Sequence, residues 1–268
     1  MQEPIITLLT DFGERDPYVG AMKGVILSIC PNIRIVDLSH NIQKHNIREG
    51  AFYLFSSVKY YPKNTIHLVV IDPGVGSERK SLIIQSDNYF FVGPDNGVLS
   101  LAALEDKVQK VIEINNTAYF LKPVSNTFHG RDIFAPIAAH LAINQTPTHF
   151  GSLSQNWIQI KIPQVSVNND EIVGEIIHID RFGNIITNIS RNFFKKLDAS
   201  RNYIIEININ NQNLKIPLCT SYDQVKIGDF LGIFGSTEFL EISKNQKSAA
   251  DTLDAQIEEK ISVKLLSS

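Results

Sequence analysis

The sequence predicts a mixed α/β protein, with an N-terminal sandwich-like sheet domain over residues 1–160 and a smaller C-terminal antiparallel β-barrel domain over residues 171–268. Two contrasting patterns along the chain carry this prediction. In the first domain, short apolar runs alternate with segments of helical periodicity, which is typical of a sheet covered by helices. In the second, apolar and polar residues alternate one by one and helical periodicity is rare, which is typical of a small antiparallel barrel.

The N-terminal elements follow one another as strand and helix. Residues 4–10 (PIITLLT) predict the first strand, and apolar residues at 3-4-3 spacing over residues 19–29 predict the first helix. Asp16 is the predicted N-cap of this helix and Pro17 its first residue. Pro136 must kink the last helix or lie in its first turn. Further strands are predicted at 33–38, 66–71, 81–86 and 89–93, and further helices at 47–58, 98–105 and 131–142.

The C-terminal elements are predicted to be strands. Residues 203–210 (YIIEININ) alternate Ile with polar residues, and the alternation resumes at residues 214–218 after an Asn/Gln turn. This pattern predicts a β-hairpin. Further strands are predicted at 171–180, 184–190, 230–234, 239–243 and 261–266.

Composition excludes several classes of protein. With 43% hydrophobic and 20% charged residues, the 268-residue chain is neither disordered nor fibrous. Its apolar runs are shorter than the ~18–20 residues of a membrane span, and its start lacks a secretory-signal pattern. Its formal charge of −3 does not indicate the excess of basic residues that nucleic-acid binding requires. Cys30 and Cys219 are too far apart for a C-x-x-C site. We therefore expect a cytoplasmic protein with two buried thiols, which binds neither nucleic acid nor membrane.

Three polar clusters follow predicted strands or precede a helix, where open α/β sheets bind their ligands. The first is residues 11–16 (DFGERD), directly after the first strand. Asp11 precedes a glycine turn, and its carboxylate suits a sugar diol because it accepts two O–H hydrogen bonds. For Asp16 alone, the helix cap is the simpler interpretation.

The other two clusters offer groups suited to hydrolysis. Residues 72–79 (DPGVGSER) contain two glycines that allow the backbone to approach a ligand, but they lack the G-K-[ST] of a phosphate loop. A tight turn with an Asp–Arg surface pair explains them equally well. Residues 126–132 (NTFHGRD) place His129 beside Gly130, although a lone His is more often structural. Together the clusters supply Asp, Arg and His to activate a water molecule, with further carboxylates for binding.

Five segments resemble, in order, the S-adenosyl-L-methionine hydroxide adenosyltransferase family: DFGERDPYVGAMKG, VIDPGVGSERK, FVGPDNGVLS, TFHGRDIFAP and DRFGNIITNI. Because five collinear motifs span both domains, the resemblance is specific. It implies a hydrolase that converts S-adenosylmethionine to adenosine and methionine, related to 5′-fluoro- and 5′-chloroadenosine synthases and associated with the (R)-sulfonium epimer. It also implies an α/β domain followed by a β-barrel, a homotrimer with the active site at a subunit interface, and no cofactor beyond the substrate.

The resemblance assigns roles to individual residues. Asp72, Arg79 and His129 match the water-activating trio, Asp11 matches the carboxylate that binds the ribose diol, and Asp16 matches an acidic binding position in the first loop. The remaining substrate-binding positions are those that flank the nucleoside (Val75, Phe128 and Tyr222), those that read the methionine amine and the adenine edge (Asp180, Phe182 and Asn184), and those near the methionine end (Ser236 and Glu241).

The sequence also departs from this pattern. Where relatives have a glycine-rich segment at 237–248, this chain has Thr237, Glu238 and Lys247, which puts the backbone contacts to adenine there in doubt. His45 stands where halogenating relatives have Trp.

The assigned residues suit the implied chemistry. A sulfonium departs as a neutral thioether, so the reaction needs no general acid. The task is to hold C5′ in line with a water molecule and to make that water nucleophilic. Arg79 and a neutral His129 would bind a hydroxide-like oxygen, while Asp72 orients Arg79 or accepts the proton.

Three other functions stay open at this point. A halogenase needs a neutral pocket for its anion, where this chain has Asp72 and His129. A metal-dependent hydrolase would draw on Asp11, Asp72, Asp95, His129 and Asp132, but no H-E-x-x-H pattern supports it and we expect no metal site. A non-catalytic adenosine-binding protein would have no use for the Asp, Arg and His trio.

Overall fold

The N-terminal unit, Met1–Lys161, is built on a seven-stranded sheet in the order β2-β1-β3-β5-β4-β6-β7. The structure is a computed structural model that describes residues 3–168, 171–194 and 203–266. The β1-β2, β1-β3 and β3-β5 pairs are parallel, and β4, β6 and β7 add antiparallel pairs. The strands are β1 (Ile5–Thr10), β2 (Arg34–Ser39), β3 (Ile66–Val70), β4 (Ser81–Ser86), β5 (Phe90–Pro94), β6 (Val108–Ile114) and β7 (Gly151–Leu153).

Helices cover both faces of this sheet. They are α1 (Tyr18–Ile29), α2 (Ile47–Val58), α3 (Ser100–Glu105) and α4 (Ala135–Ala142). Successive residues of β3 point to opposite faces, so Leu68 packs in the core with α1 and α4 while Val69 packs in the core with α2 and α3. This burial on both sides explains why the strand is almost entirely apolar.

Most predicted N-terminal elements are confirmed, including Pro136 in the first turn of its helix, and there are two differences. Strands β6 and β7 were not predicted. Asp16 does not cap α1: the Pro17 carbonyl accepts the Ala21 N–H at 2.9 Å, so the helix begins after Pro17 and Asp16 lies one residue outside it. Pro136 lies in the first turn of α4, which a π-helical turn (Gly130–Phe134) precedes.

The C-terminal unit, Ile162–Ser268, is a closed seven-stranded barrel in the order β10-β14-β13-β12-β11-β15-β9, with β9 pairing back to β10 and the short β8 added to β9. Its pairs are antiparallel except β12-β13, which is parallel. The elements are β8 (Ser166–Asn168), β9 (Glu171–Ile179), β10 (Ile185–Ser190), β11 (Tyr203–Ile209), β12 (Gln212–Cys219), β13 (Phe230–Phe234), β14 (Phe239–Lys244), α5 (Ala249–Leu253) and β15 (Lys260–Leu266).

The predicted hairpin is confirmed as β11-β12, in register from Tyr203↔Leu218 to Ile209↔Gln212. Its turn residues Asn210 and Asn211 both have positive φ, as a two-residue hairpin turn requires. Ile205 and its alternate neighbours fill the barrel core.

The structure also tests the predictions on the two cysteines and on membrane-spanning helices. Of the two thiols, Cys30 is buried but Cys219 is only half-buried, so the prediction of two buried thiols is wrong for Cys219. No helix in the described ranges is long and apolar enough to cross a membrane.

Candidate active site

The centre of the N-terminal site is a bonded chain of Asp72, Arg79 and His129. Asp72 follows β3, and the loop that it starts returns to β4 through Arg79. Arg79 Nε donates to Asp72 Oδ1 at 2.9 Å, and Arg79 Nη2 donates to Asp72 Oδ2 at 2.5 Å. Nη2 also lies 2.9 Å from His129 Nδ1. The three residues that the sequence analysis joined by resemblance therefore form one network.

This Asp–Arg pair is buried. The side chains of Arg79 and Asp72 are 10% and 4% exposed, so the alternative of a surface pair in a tight turn is wrong. The ring of Phe134 lies 5.2 Å from the centre of the guanidinium, and Arg79 Nη1 donates to Ser81 Oγ and to the Lys80 carbonyl. A buried ion pair needs such further partners to offset the cost of desolvation.

The five N–H groups of Arg79 are all engaged by these partners. Nε and one N–H of Nη2 bind Asp72, both N–H groups of Nη1 bind the Lys80 carbonyl and Ser81, and the second N–H of Nη2 faces His129. None is left for a water molecule. The expectation that Arg79 itself binds the hydroxide-like oxygen does not fit this geometry, because its donors point to protein atoms.

Within the network, His129 has a donor, Nε2–H, that no other member of the network uses. Arginine is always a donor, so Nδ1 must be the acceptor and a neutral imidazole carries its proton on Nε2. Burial, and then the adjacent Arg79 cation, hold the pKa of His129 below its ordinary 6.5, whereas the more weakly felt Asp72 and Asp132 raise it. His129 therefore presents an N–H at Nε2 and stays neutral at physiological pH.

Close contact between two loops fixes this arrangement. Gly76 has φ +79°, and a Cβ there would lie 2.3 Å from the Asn126 carbonyl oxygen. A side chain at Gly76 would therefore push the loop of Asp72 and Val75 away from the loop of Phe128 and His129. The glycine that sequence analysis credited to ligand approach serves the approach of one loop to another.

The first loop holds Asp11 and an aromatic cluster. Asp11 Oδ2 accepts the His45 backbone N–H at 2.9 Å, and the Asp11 side chain is 8% exposed. A carboxylate has about four acceptor positions, so Asp11 keeps capacity for a diol. Phe128 packs against two aromatic residues that sequence analysis did not select, Phe12 at 5.9 Å and Tyr18 at 5.3 Å between ring centroids. Phe12 lies inside the quoted DFGERD motif, so its position was the available signal.

Asp16 is exposed and lies beside a surface cavity of about 470 Å³. Lys23, Asp37 and His40 also line this cavity.

The barrel carries a second cleft, of about 650 Å³. It is lined by Asp180, Phe182, Asn184, Tyr222 and residues 244–248, which include Lys247. Asp180 Oδ1 accepts the backbone N–H groups of Phe182 and Asn184, each at 2.9 Å, and Oδ2 accepts Asn184 Nδ2 at 2.9 Å. Asp180 therefore shapes the turn, while Phe182 is left 78% exposed.

Glu241 and Ser236 do not line this cleft. The Tyr222 hydroxyl donates to Glu241 Oε2 at 3.4 Å. Burial, and then the Asp180 charge, raise the pKa of Glu241, and burial followed by the charge of Glu241 raises the pKa of Tyr222. Ser236 is exposed in the turn between β13 and β14.

The carboxylates considered for a metal site bind other groups. Asp72 binds Arg79, Asp132 binds Arg131 and the Ser125 N–H, and Asp95 Oδ1 accepts the Ile158 N–H at 2.7 Å. Within the described ranges, no three His, Cys, Asp or Glu side chains are grouped to hold a metal ion.

Comparisons with known proteins agree with the motifs. The S-adenosylmethionine (SAM) hydroxide adenosyltransferase N-terminal domain model matches residues 6–151, and the corresponding C-terminal domain model matches residues 174–262. The chain is 39% identical to an (R)-S-adenosyl-L-methionine hydrolase of Methanocaldococcus jannaschii, over 97% of this chain and 95% of that protein. It is 26% identical to a fluorinase of Nocardia brasiliensis, over 93% of each.

A solved structure gives the same answer for the fold. The crystal structure of an uncharacterized conserved protein from Thermotoga maritima superimposes with a TM-score of 0.91 at 34% identity, covering 96% of this chain and 99% of that one. With both domain models matched in order, the chain belongs to the SAM hydroxide adenosyltransferase family.

Proposed function

We propose that this protein is a hydrolase that cleaves S-adenosyl-L-methionine to adenosine and L-methionine. The observation that carries the proposal is the buried chain from Asp72 through Arg79 to His129, which ends in one neutral N–H donor. Relatives named (R)-S-adenosyl-L-methionine hydrolases support the substrate and favour the (R)-sulfonium epimer.

The reaction is a displacement at C5′. The oxygen of water forms a bond to C5′ while the C5′–S bond breaks, and sulfur keeps the bonding pair and leaves as the thioether of methionine. The water gives up one proton to bulk solvent. Because the positive sulfonium becomes neutral, no proton has to be delivered to the leaving group.

His129 is the residue that acts on the water. Its Nε2–H donates to the attacking oxygen, which is present as hydroxide once the water has lost its proton to bulk solvent, and holds that hydroxide in line with C5′. Arg79 holds Nδ1 as an acceptor and keeps the ring neutral, and Asp72 holds Arg79 in place. Both oxygens of Asp72 are bonded to Arg79, so we assign Asp72 the orienting role rather than proton acceptance.

Binding of the nucleoside is assigned to the remaining residues. Asp11 accepts the ribose hydroxyls, and Phe128 and Val75 flank the nucleoside. In the barrel, the exposed Phe182 ring and the Tyr222 ring are surfaces on which a base stacks, and Asn184 supplies amide contacts. Asp16, Asp180, Ser236 and Glu241 stay predictions from the resemblance, and a cytoplasmic location stays a prediction from the sequence.

Product analysis tests this function. Purified protein is incubated with each sulfonium epimer of S-adenosylmethionine, and adenosine and methionine are followed by chromatography. Equal amounts of the two products are expected, with or without chloride and after treatment with a chelator, since no step needs a halide, a metal or another cofactor. A chlorinated nucleoside would favour the halogenase, activity restored only by zinc or manganese would favour the metal-dependent hydrolase, and binding without turnover would favour an adenosine-binding protein.

We also propose a homotrimer in which each active site is shared by two subunits. The assigned residues are divided between the two units of the chain, and closed cyclic symmetry is the usual way to make identical shared sites. Mixing Asp72→Ala and Asn184→Ala subunits tests this, at a substrate concentration so low that neither variant alone shows detectable turnover. With random exchange in equal amounts, about a quarter of shared sites contain both wild-type halves, so about a quarter of the activity should return. A monomer by light scattering, or no recovery after verified exchange, contradicts the shared site.

A further inference from the structure

A buried histidine outside the assigned site supports the loop that carries Asp11. His40 follows β2 and is 4% exposed. Its Nδ1 lies 2.9 Å from Oγ1 of Thr10, the last residue of β1, which is fully buried. Its Nε2 lies 3.0 Å from Asp37 Oδ1, and Asp37 Oδ2 accepts Lys23 Nζ of α1 at 2.6 Å. We call Lys23, Asp37, His40 and Thr10 the His40 network.

The His40 network holds the side chain of Thr10, which precedes Asp11, and the backbone that follows Asp11. Thr10 Oγ1 accepts the Phe12 N–H at 3.3 Å, and the His40 carbonyl accepts the Gly13 N–H at 2.7 Å. Gly13 has φ +70°, so the turn at this point needs both a glycine and an anchored N–H. Asp11 is thus the residue between two anchored neighbours.

One tautomer of His40 gives the Thr10–His40 hydrogen bond a clear direction. With the ring proton on Nε2, Nδ1 accepts the Thr10 hydroxyl proton while Thr10 Oγ1 accepts the Phe12 N–H. Nε2 then lies 3.0 Å from Asp37 Oδ1, outside hydrogen-bond geometry. Burial raises the pKa of Asp37, but its interactions with Lys23 and His40 outweigh burial and lower the pKa overall. Asp37 is therefore a carboxylate that accepts from Lys23 and lies against the His40 ring.

The segment after His40 completes the support. The backbone N–H of His45 donates to Asp11 Oδ2 at 2.9 Å, so residues 40–45 hold both the backbone around Asp11 and one oxygen of its carboxylate. An error of a few tenths of an ångström in this loop would misplace the carboxylate relative to a ribose diol.

We infer that His40 is a positioning residue for ribose recognition, which acts through Thr10 and the Asp11 turn without touching the substrate. This inference rests on the proposed function, since it concerns the same substrate. It predicts that loss of His40 weakens nucleoside binding while the Asp72–Arg79–His129 network, and with it the chemical step, is preserved.

The chain offers a matched control on the same strand. Thr7 Oγ1 lies 2.8 Å from Nδ1 of His67, and both residues are buried, so they form a second buried Thr–His pair. Thr7 and His67 are register partners of β1 and β3 in the middle of the sheet, away from the first loop. Thr7→Val and Thr10→Val therefore remove the same buried hydroxyl from the same strand, but only Thr10→Val releases the loop.

The test compares Thr10→Val, His40→Ala, His40→Asn and Thr7→Val with the wild type. KM and kcat for S-adenosylmethionine, the adenosine Kd by calorimetry and Tm by circular dichroism are measured for each. Thr10→Val and His40→Ala should raise KM and the adenosine Kd about tenfold, with kcat changed less than about threefold. The double variant should fall short of the product of the single effects. His40→Asn, whose amide oxygen accepts near the Nδ1 position, should recover part of the affinity.

Thr7→Val should lower Tm and leave KM and Kd as in the wild type. A KM rise in Thr7→Val equal to that in Thr10→Val would overturn the inference, because general loosening of β1 would then explain both. Unchanged KM and Kd in both Thr10→Val and His40→Ala would overturn it as well. Should the wild type not hydrolyse S-adenosylmethionine, the proposed function fails, while the ratio of adenosine Kd values still decides the role of His40. A wild type that does not bind adenosine leaves His40 no ribose contact to position, which also overturns the inference.

Discussion

The Asp72–Arg79–His129 network and the barrel cleft use their side chains in opposite ways. In the network, every Arg79 donor has a protein partner and the Asp72 side chain is 4% exposed. In the barrel cleft, Asp180 is bonded to its own turn, but Phe182 is 78% exposed and Tyr222 is 41% exposed.

Under the proposed function, this difference separates the residues that do chemistry from those that recognise the substrate. A group that stabilises developing charge must be held before the reaction begins, because reorganisation at that moment would raise the barrier. An aromatic ring that stacks on a base gains from being free of protein contacts until the ligand covers it. Substitutions in the network should therefore lower kcat, whereas substitutions in the cleft should raise KM.

The largest effect is expected for His129→Ala, which removes the only donor that the network offers to water. Loss of one such donor costs about 10²–10³-fold in kcat, with KM little changed. His129→Gln, whose amide N–H₂ reaches toward the Nε2 position, should recover part of the rate. His149→Ala serves as the control because His149 is exposed. A His129→Ala enzyme of near-normal kcat would contradict the assignment of His129.

The pH profile of the wild type sharpens the same point. The active form has neutral His129, whose pKa is held below 6.5. Above that pKa kcat should be flat with respect to His129. Below it Nδ1 is protonated and can no longer accept from Arg79, so the ring loses its support and kcat should fall about tenfold per pH unit. The free energy of unfolding should also decrease as pH falls. Between the lowered pKa and 6.5 the unfolded chain binds the His129 proton more readily than the folded chain, so lowering the pH through that range favours unfolding. A kcat that rises as pH falls below 6.5 would exclude a neutral His129.

Arg79→Lys is expected to lower kcat about 10²-fold. Lysine keeps the positive charge, but its single ammonium cannot bind Asp72, Ser81 and His129 at once in the geometry of a guanidinium. Arg34→Lys is the control, since Arg34 pairs with Glu3 on the exposed surface. Kinetics on both variants, with Tm measured alongside, separate a loss of positioning from a loss of folding. Equal kcat in Arg79→Lys and wild type would mean that charge alone is needed.

The smallest effect is expected in the barrel cleft. Phe182→Ala should raise KM about three- to tenfold, as loss of one stacked ring costs ~1 kcal/mol, without change in kcat or Tm. The neighbouring Gly183→Ala should instead lower Tm, because φ is +80° and a Cβ would lie 2.1 Å from Ser248 Oγ. A lower Tm for Phe182→Ala would show that the ring is structural, and the contrast between cleft and network would fail.

Local patterns predicted most of the secondary structure, but not β6, β7, β8 or α5. Alternation of Ile over 203–209 was enough for β11, because one face of that strand is buried in the barrel. The failures are equally informative. Strand β6 is exposed at Gln109 and Lys110, so it lacks the continuous apolar run that predicted β3. The parallel β12-β13 pair and the start of α1 after Pro17 depend on contacts that a local pattern does not contain.

By itself, the sequence determined the two-part α/β and barrel architecture and, through its motifs, the identity of Asp72, Arg79 and His129. Only the tertiary structure decided how these residues work. Arg79 and His129 are 50 residues apart and Thr10 and His40 are 30 apart, so their hydrogen bonds exist only once the sheet has assembled. Burial in that sheet then gives every Arg79 donor a protein partner and fixes the neutral tautomer of His129, whose Nε2–H we propose as the donor to water.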